Sequence, residues 1–202
     1  MKAFFILMMA ALCSSAKSTS SCNCQHAEDF LLSSQLDIPR DPWDFLTSPE
    51  RLYLMYMPRS LKLDAIQCVI SEWKGIVIDR LLLQRTVLWK NKGIVRNKTV
   101  AITMTDPCQH TPQDSFVTTA FDIVVEFKTM YADKQCLILQ IRKRNEVSGL
   151  RKECAYWAKD GYKDNPLRHC RYMYLLFCGG NYREVYNKEA CKNLVKKSTS
   201  HT

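Results

Sequence analysis

Residues 77–105, VIDRLLLQRTVLWKNKGIVRNKTVAITMT, contain two apolar segments on either side of a short polar turn. Val77–Trp89 is long and rich in Leu and Val, and Ile94–Thr105 alternates apolar with polar residues. Between them, Lys90–Gly93 places a glycine where a tight hairpin requires a left-handed backbone conformation. The stretch therefore predicts a β-hairpin, which favours an antiparallel sheet over an alternation of strands and helices.

The same period-two alternation recurs on both sides of this hairpin. The further predicted strands are Arg51–Met57, Leu63–Trp73, Val117–Thr129, Gln135–Arg142 and Glu153–Lys159. Gly75 is expected to turn the chain between two of them. About seven or eight strands joined by hairpins predict an up-and-down antiparallel barrel, and an eight-stranded barrel is just wide enough to hold one small ligand.

Helix signals lie at the two ends of this strand-rich region. Near its start, Asp41 can cap a short helix and Pro42 suits the first helical position. Near its end, Asn165 and Pro166 repeat that arrangement, and Gly179 follows the last helical residue. The apolar stripe of this second helix is Cys170, Met173, Tyr174 and Phe177. Such a stripe predicts a helix packed on the outside of the barrel.

Both chain ends are predicted to lie outside the barrel. Lys2, the apolar run Ala3–Leu12 and the small residues up to Ala16 are typical of a secretory signal peptide. The predicted segments are 1–16 as signal peptide, 17–36 as flexible arm, 37–192 as barrel and 193–202 as basic tail. A short strand over Arg183–Asn187 is expected, and the chain is expected to be frayed from Lys192 onward.

The cysteines indicate an extracellular protein. Ten cysteines in 202 residues favour an oxidising compartment. Removal of Cys13 with the signal peptide leaves an odd number, and Cys22 or Cys24 is the candidate for the leftover thiol. The pairing of Cys108 stays open. The sequon Asn97-Lys98-Thr99 predicts glycosylation of Asn97, which then has to face solvent.

Two other functional classes are less consistent with the sequence. Lys and Arg number 29 against 20 Asp and Glu, and the resulting net charge of +9 would suit a binder of nucleic acid or glycosaminoglycan. The strands lack the interleaved aromatic and basic residues typical of such binding. A small ribonuclease would need paired histidines, and a zinc site would need spaced Cys and His ligands. The histidines are His26, His110, His169 and His201, and they form neither pattern.

Short motifs at both ends of the barrel region carry a resemblance to a known family. The N-terminal motifs are Asp41-Pro42-Trp43-Asp44-Phe45-Leu46, Tyr53-Leu54-Met55 and Cys68. The C-terminal motifs are Cys154-Ala155-Tyr156-Trp157, Cys170-Arg171-Tyr172 and Val185–Cys191. In this order, over residues 37–192, they resemble tick salivary lipocalins of the tick histamine-binding protein family.

The resemblance implies a mainly β fold: an eight-stranded antiparallel lipocalin-like barrel, a short N-terminal helix and one C-terminal helix packed outside. It implies secretion in tick saliva and sequestration of a small host inflammatory mediator, which evades host defence. That mediator is a biogenic amine such as histamine or serotonin, or a lipid eicosanoid. The expected protein is a monomer without catalysis, cofactor, metal, nucleic acid or membrane. The alternative is a barrel whose outer surface binds a host plasma protein such as a complement component.

The resemblance also implies disulfide pairs. The two bonds shared by the family carry over onto Cys68–Cys191 and Cys136–Cys170. Cys154 and Cys178 are additional and are expected to pair with each other. The alternative joins Cys154 to Cys22 or Cys24.

The sequence departs from the family where its amine binders carry two acidic residues. The position after the late-strand cysteine is Leu137 here, and the triplet on the last strand reads Ala155-Tyr156-Trp157. A protonated amine inside a barrel needs a buried carboxylate, so a lipid mediator ranks slightly above an amine. The expected ligand-binding residues are Tyr53, Tyr56, Phe121, Phe127, Glu153, Tyr156 and Trp157.

The orientation of several charged side chains stays open at this level. Phe121 and Phe127 are expected to line the barrel, with Asp122 and Glu126 in solvent, whereas the reverse orientation would restore an amine site. The arginines that lie among apolar strand residues are Arg80, Arg85 and Arg142. An outward charged face is the simpler expectation for them, but one inward arginine would suit a lipid carboxylate.

Overall fold

A computed structural model describes residues 40–61, 65–77, 82–104, 114–120, 123–142 and 153–199. The strands are β1 (Leu52–Pro58), β2 (Ile66–Val77), β3 (Leu82–Asn91), β4 (Ile94–Met104), β5 (Ser115–Ala120), β6 (Ile123–Ala132), β7 (Cys136–Arg142), β8 (Cys154–Lys159) and β9 (Tyr182–Glu184). The helices are α1 (Trp43–Leu46), α2 (Arg168–Cys178) and α3 (Lys188–Thr199). The predictions for residues 1–36, Cys108, His110, Arg80, Phe121, Asp122 and His201 lie outside the described residues.

Eight of these strands form a closed antiparallel barrel. From β2 to β8 each strand pairs with the next, β8 pairs with β1, and β1 pairs with β2 to complete the ring. β9 adds to the far end of β1, outside the ring. Phe45 and Leu46 of α1 join the core beside Leu52 and Leu83, so α1 covers one end of the barrel, called here the closed end. The predicted fold class is confirmed.

The hairpin predicted within residues 77–105 is present and joins β3 to β4. Lys92 and Gly93 both have positive φ, 48° and 82°, and they connect strands that stay in register from Leu82 opposite Thr103 to Asn91 opposite Ile94. Two left-handed residues in a row give the turn a twist that matches the twist of the strands. The prediction for Lys90–Gly93 is confirmed.

Two strand predictions are wrong. Gly75 does not turn the chain, because β2 continues to Val77 and only shifts register between Trp73 and Gly75, as at a β-bulge. The single strand expected over Val117–Thr129 is instead the hairpin of β5 and β6, in which Ala120 lies opposite Ile123. No Gly, Pro or Asn marks that turn in the sequence, so the pattern gave no sign of it.

The two predicted helices are present, with corrected N-termini. Asp41 Oδ1 accepts a hydrogen bond from the Trp43 backbone N–H at 2.8 Å, as expected, but Pro42 lies just before the helix. α2 begins at Arg168, so neither Asn165 nor Pro166 has its predicted role. It ends at Gly179, whose φ is 72°, as predicted. The stripe of Cys170, Tyr174 and Phe177 is buried, and α2 packs against β7.

The C-terminal segment differs most from expectation. β9 covers Tyr182–Glu184 rather than Arg183–Asn187. The chain expected to be frayed from Lys192 is helical up to Thr199, as part of α3, which packs against β2 and β3. The missed signals are the Asn187 side chain, which accepts the Ala190 N–H at 2.9 Å, and the buried run of Ala190, Cys191 and Leu194.

Three disulfides join the barrel to its outer helices. Cys68 on β2 bonds to Cys191 on α3, Cys136 on β7 bonds to Cys170 on α2, and Cys154 on β8 bonds to Cys178 at the end of α2. All three predicted pairs are confirmed, and the alternative partner for Cys154 is wrong. Among the described residues, no helix has the length and apolar character needed to cross a membrane.

Asp133 connects the β6–β7 turn to α2. Its Oδ1 accepts hydrogen bonds from the backbone N–H groups of Gln135 and Cys136, both at 2.7 Å. Its Oδ2 accepts the Tyr131 hydroxyl at 2.9 Å and lies 2.8 Å from His169 Nε2. Burial alone raises the pKa of this carboxyl, but the hydrogen bonds outweigh burial and hold the pKa below its usual value.

Replacing Asp133 with Ala should lower the free energy of unfolding by about 2–3 kcal/mol at neutral pH, because several donors lose their acceptor. Since the folded-state pKa is depressed, the carboxylate stabilises the fold above its unfolded-state pKa, and this stabilisation is lost as the pH falls through the folded-state pKa. Urea unfolding of wild type and variant should therefore converge in acid. A difference that does not change with pH would contradict this role.

Candidate functional site

The barrel encloses a cavity of about 250 Å³. Its wall is almost entirely apolar and is built from inward-facing residues of β1 to β8. Representative wall residues are Leu54, Met57, Ile102, Phe116, Leu139 and Ile141. This volume lies just below the range of about 300–1,000 Å³ that is usual for small-molecule pockets, so the cavity suits a compact apolar ligand.

Two of the predicted ligand-binding residues line this cavity. Phe127 on β6 stacks on Phe116 of β5, with ring centroids 5.3 Å apart, and Trp157 on β8 also lines the wall. Glu126, next to Phe127, faces outward and pairs with Arg142 at 2.9 Å near the surface. The predicted orientation of β6 is therefore correct for the residues that the structure describes.

Leu137 and Ala155 also line the cavity, on the adjacent strands β7 and β8. Leu137 lies directly across from Trp157 in the β7–β8 ladder and is fully buried. According to the family resemblance, these are the two positions at which amine binders carry acidic residues. The cavity wall is thus apolar where such proteins would carry carboxylates.

The tyrosines predicted to bind ligand are not brought to the cavity. Tyr56 and Tyr156 lie on the outer face of the barrel, beneath α2, where Tyr56 packs 5.3 Å from the Tyr174 ring and 4.3 Å from the Tyr182 ring. Tyr53 also faces outward, with its ring centroid 5.8 Å from that of Tyr186. Burial raises the pKa of all three tyrosines that were predicted.

For Tyr53 and Tyr56, the reason for this correction lies in β1. All seven residues of β1 are buried, because its inner face meets the cavity and its outer face packs against Tyr174 of α2 and against Tyr182 and Tyr186. A register shift between Leu54 and Tyr56 also breaks the strict alternation. A pattern of apolar and polar residues cannot identify the inner face of a strand that is buried on both sides.

Glu153 is not part of the cavity wall either. It lies just before β8 and is partly buried, and its backbone carbonyl accepts the Ile141 N–H at 2.8 Å. The backbone of Glu153 therefore takes part in the pairing at the start of β8. Contrary to the prediction, its carboxylate is not part of the cavity wall.

Arg85 forms the floor of the cavity at the closed end. It is fully buried, with Nε donating to Ser71 Oγ at 2.9 Å. Nη1 donates to the carbonyls of Leu46 and Ser48 at 2.7 and 2.9 Å, and Nη2 donates to those of Glu50 and Ser71 at 2.8 and 3.0 Å. All five N–H donors of a guanidinium are thus used. Burial lowers the pKa of Arg85 to about 10, which leaves it charged at neutral pH.

Arg85 therefore points inward, against the simpler expectation, but it cannot serve as the lipid-carboxylate partner considered above. Its donors bind the segment after α1 and hold that segment across the barrel end. Among the described wall residues, the remaining polar side chains are Ser71, which already accepts from Arg85, and Thr118 on β5. The sequence did not identify Arg85 as part of the site, because a charge between Gln84 and Thr86 resembles an exposed strand face.

A shallower recess near the closed end contains acidic groups, which the described lining of the cavity does not. Its lining includes Glu50, Glu72, Asp160 and Trp73. Each carboxylate already has a cation: Glu72 pairs with Arg51 at 2.8 Å, Asp160 with Lys163 at 2.8 Å and Glu50 with Lys159 at 3.3 Å. The described lining of the recess thus has no uncompensated negative charge to attract an ammonium group.

Two other predicted features are placed outside the cavity. Asn97 lies on β4 and is exposed, as a glycosylated residue must be, and its modification stays a prediction. His169 and Asp133 lie beside Cys136 and Cys170, but these two sulfurs are bonded to each other and cannot ligate a metal as thiolates.

Comparisons with known proteins agree with the barrel. A family model described as "Tick histamine binding protein" matches residues 33–193, whereas no curated protein sequence matches. Japanin from Rhipicephalus appendiculatus, bound to cholesterol, is similar in structure with a TM-score of 0.57 and 13% identity, over 71% of this chain and 97% of that one. The AM182 serotonin complex is similar with a TM-score of 0.57 and 12% identity, over 78% and 97%. Because the family model covers most of the sequence, this chain belongs to the tick histamine-binding protein family.

Proposed function

We propose that this chain is a secreted lipocalin that sequesters a small, uncharged lipid mediator of the host inside its barrel and so evades host defence. The observation that carries the proposal is the apolar wall at Leu137 and Ala155; none of the described residues that line the cavity carries a carboxylate. An ammonium group moved into this cavity would lose its hydration and gain no partner. The role is one of binding, without a chemical step.

Arg85 extends this argument to the other charged ligands. Its positive charge at the cavity floor disfavours an ammonium group. Its five donors are already satisfied, so a lipid carboxylate would gain only the long-range attraction and no hydrogen bond. The expected order of affinity is therefore uncharged lipid first, lipid acid second and amine last.

The two structural neighbours support different ligands. Japanin was solved with cholesterol, a neutral lipid, and AM182 was solved with serotonin, an amine. Family membership alone keeps both classes open. The residues at positions 137 and 155 of this chain favour the lipid, and Thr118 offers one hydroxyl to a polar group on an otherwise apolar ligand.

A matched ligand series tests the proposal. We expect 1-decanol to bind the purified protein more tightly than decanoic acid, and decylamine to bind at least about tenfold more weakly than decanol, a difference of about 1.4 kcal/mol. Isothermal titration gives the affinities, and the same assay should give weaker binding for histamine and serotonin than for decanol. Submicromolar histamine binding would contradict the ranking. If none of these compounds binds, the alternative of a host protein held on the outer surface gains support.

A pair of variants on one strand locates the ligand. Phe127→Ala should weaken decanol binding about tenfold, because the ligand loses apolar contact worth about 1.5 kcal/mol. Val124→Ala is the matched control, since Val124 lies on the same strand but is 58% exposed on its outer side. Equal effects of the two substitutions would show that decanol does not occupy the cavity.

A further inference from the structure

The outer face of α2 carries an exposed stripe that no described element covers. Its residues are Arg168, Arg171, Tyr172 and Leu175, spaced as neighbours along one side of a helix. Tyr172 is 64% exposed and Leu175 is 41% exposed, and both arginines are also exposed. We call this set the outer α2 face. It lies opposite the buried stripe of Cys170, Tyr174 and Phe177.

The charges on this face are not explained by the helix itself. The first turn of α2 contains no acidic residue, yet Arg168 and Arg171 lie near the helix N-terminus, where positive charge opposes the helix dipole. His169 is held by Asp133, whereas Arg171 forms a hydrogen bond with the Tyr182 side chain and also lies near the charge of Glu184 on β9. The arrangement leaves a positive surface beside two large apolar side chains.

We propose that the outer α2 face is a docking surface for an acidic segment of a partner protein that also carries apolar side chains. Arginine and tyrosine are, with tryptophan, the residues enriched in the energetic centres of protein interfaces. Leu175 adds apolar area that a partner can bury. An acidic partner complements Arg168 and Arg171 and removes their mutual repulsion. The surface is separate from the cavity and does not depend on what the cavity binds.

Two other possible occupants, a second copy of this chain and a polyanion, fit this face less well. In a two-fold dimer this face would meet its own copy, which brings arginines together rather than opposite charges. A polyanion such as a glycosaminoglycan would use the arginines, but it would gain nothing from Tyr172 and Leu175. The combination of cations and apolar side chains fits a protein segment best.

The test uses the full mature chain and an array of synthetic peptides. In this array the net charge varies independently of the Leu and Tyr content. We expect binding only to peptides that are both acidic and apolar. Arg168→Glu with Arg171→Glu should reduce that binding at least about tenfold and shift the preference to basic peptides. Tyr172→Ser with Leu175→Ser should remove the dependence on apolar content. Circular dichroism and thermal unfolding verify that each variant is folded.

A charge-matched control is Lys74→Glu with Lys92→Glu, two exposed lysines on β2 and on the β3–β4 turn. This control should bind the peptides like wild type. Equal losses in the control would overturn the proposal, because net charge alone would then account for binding. The proposal also fails if heparin binds through Arg168 and Arg171 while no peptide does, or if sedimentation shows a dimer that Tyr172→Ser with Leu175→Ser dissolves.

Discussion

Replacing Arg85 with Leu should lower the free energy of unfolding by about 3–5 kcal/mol, because breaking a buried hydrogen-bond network leaves several polar groups without partners. The four carbonyls of Leu46, Ser48, Glu50 and Ser71 all lose their donor. Leu fills much of the volume, so the loss measures the hydrogen bonds more than the packing. Guanidinium unfolding followed by tryptophan fluorescence gives the value.

Arg142→Leu is the matched control for this prediction. Arg142 pairs with Glu126 near the surface, where its side chain is 45% exposed, and such a pair contributes about 0–1 kcal/mol. Arg85→Lys is a second comparison. Lysine keeps the positive charge, but its ammonium group lacks the planar guanidinium fork that reaches four carbonyls. A loss below about 1 kcal/mol for Arg85→Leu would mean that water replaces the guanidinium and that the closed end is held by apolar packing.

The parts of the fold that could be predicted from sequence are those with a local physical signal. Gly93 marks the β3–β4 hairpin because few other residues adopt its backbone conformation easily, and Gly179 ends α2 for the same reason. The β5–β6 hairpin was missed because no glycine, proline or asparagine marks its turn. α3 was missed although Asn187 is a favourable cap, because its basic composition resembles an exposed tail. The disulfide pairs came from the family resemblance, since cysteine spacing alone cannot assign pairs.

The orientation of side chains in the candidate site was most clearly predictable where a strand has one buried face. β6 alternates clearly, so Phe127 was placed in the cavity and Glu126 outside it. β1 is buried on both faces, so its tyrosines could not be assigned. Arg85 was named only as one of three arginines that could point inward, and its role could not be predicted, because its partners are backbone carbonyls of residues that are distant in sequence. Burial of this kind depends on tertiary contacts and produces no periodic pattern in the sequence.

Leu137→Asp should change the ligand class of the barrel. The carboxyl would lie in the apolar wall opposite Trp157, where it would weaken decanol binding by about 2–4 kcal/mol as an unpaired polar group. Decylamine should bind more tightly than it does to wild type, because the ammonium gains a buried ionic partner and the Trp157 face adds a cation–π contact. Titration of both ligands into wild type and variant measures this reversal of preference.

Leu137→Asn separates charge from polarity, because it has nearly the same shape as Asp but cannot ionise. It should lose decanol affinity as Leu137→Asp does and should gain no affinity for decylamine. Burial raises the pKa of the new carboxyl, so the amine gain of Leu137→Asp should be full at high pH, while the amine is still protonated, and should fall as the carboxyl is neutralised in acid. If both variants gained the amine equally, polarity alone would account for the change. The absence of a carboxylate at position 137 would then not be what excludes amines from this cavity.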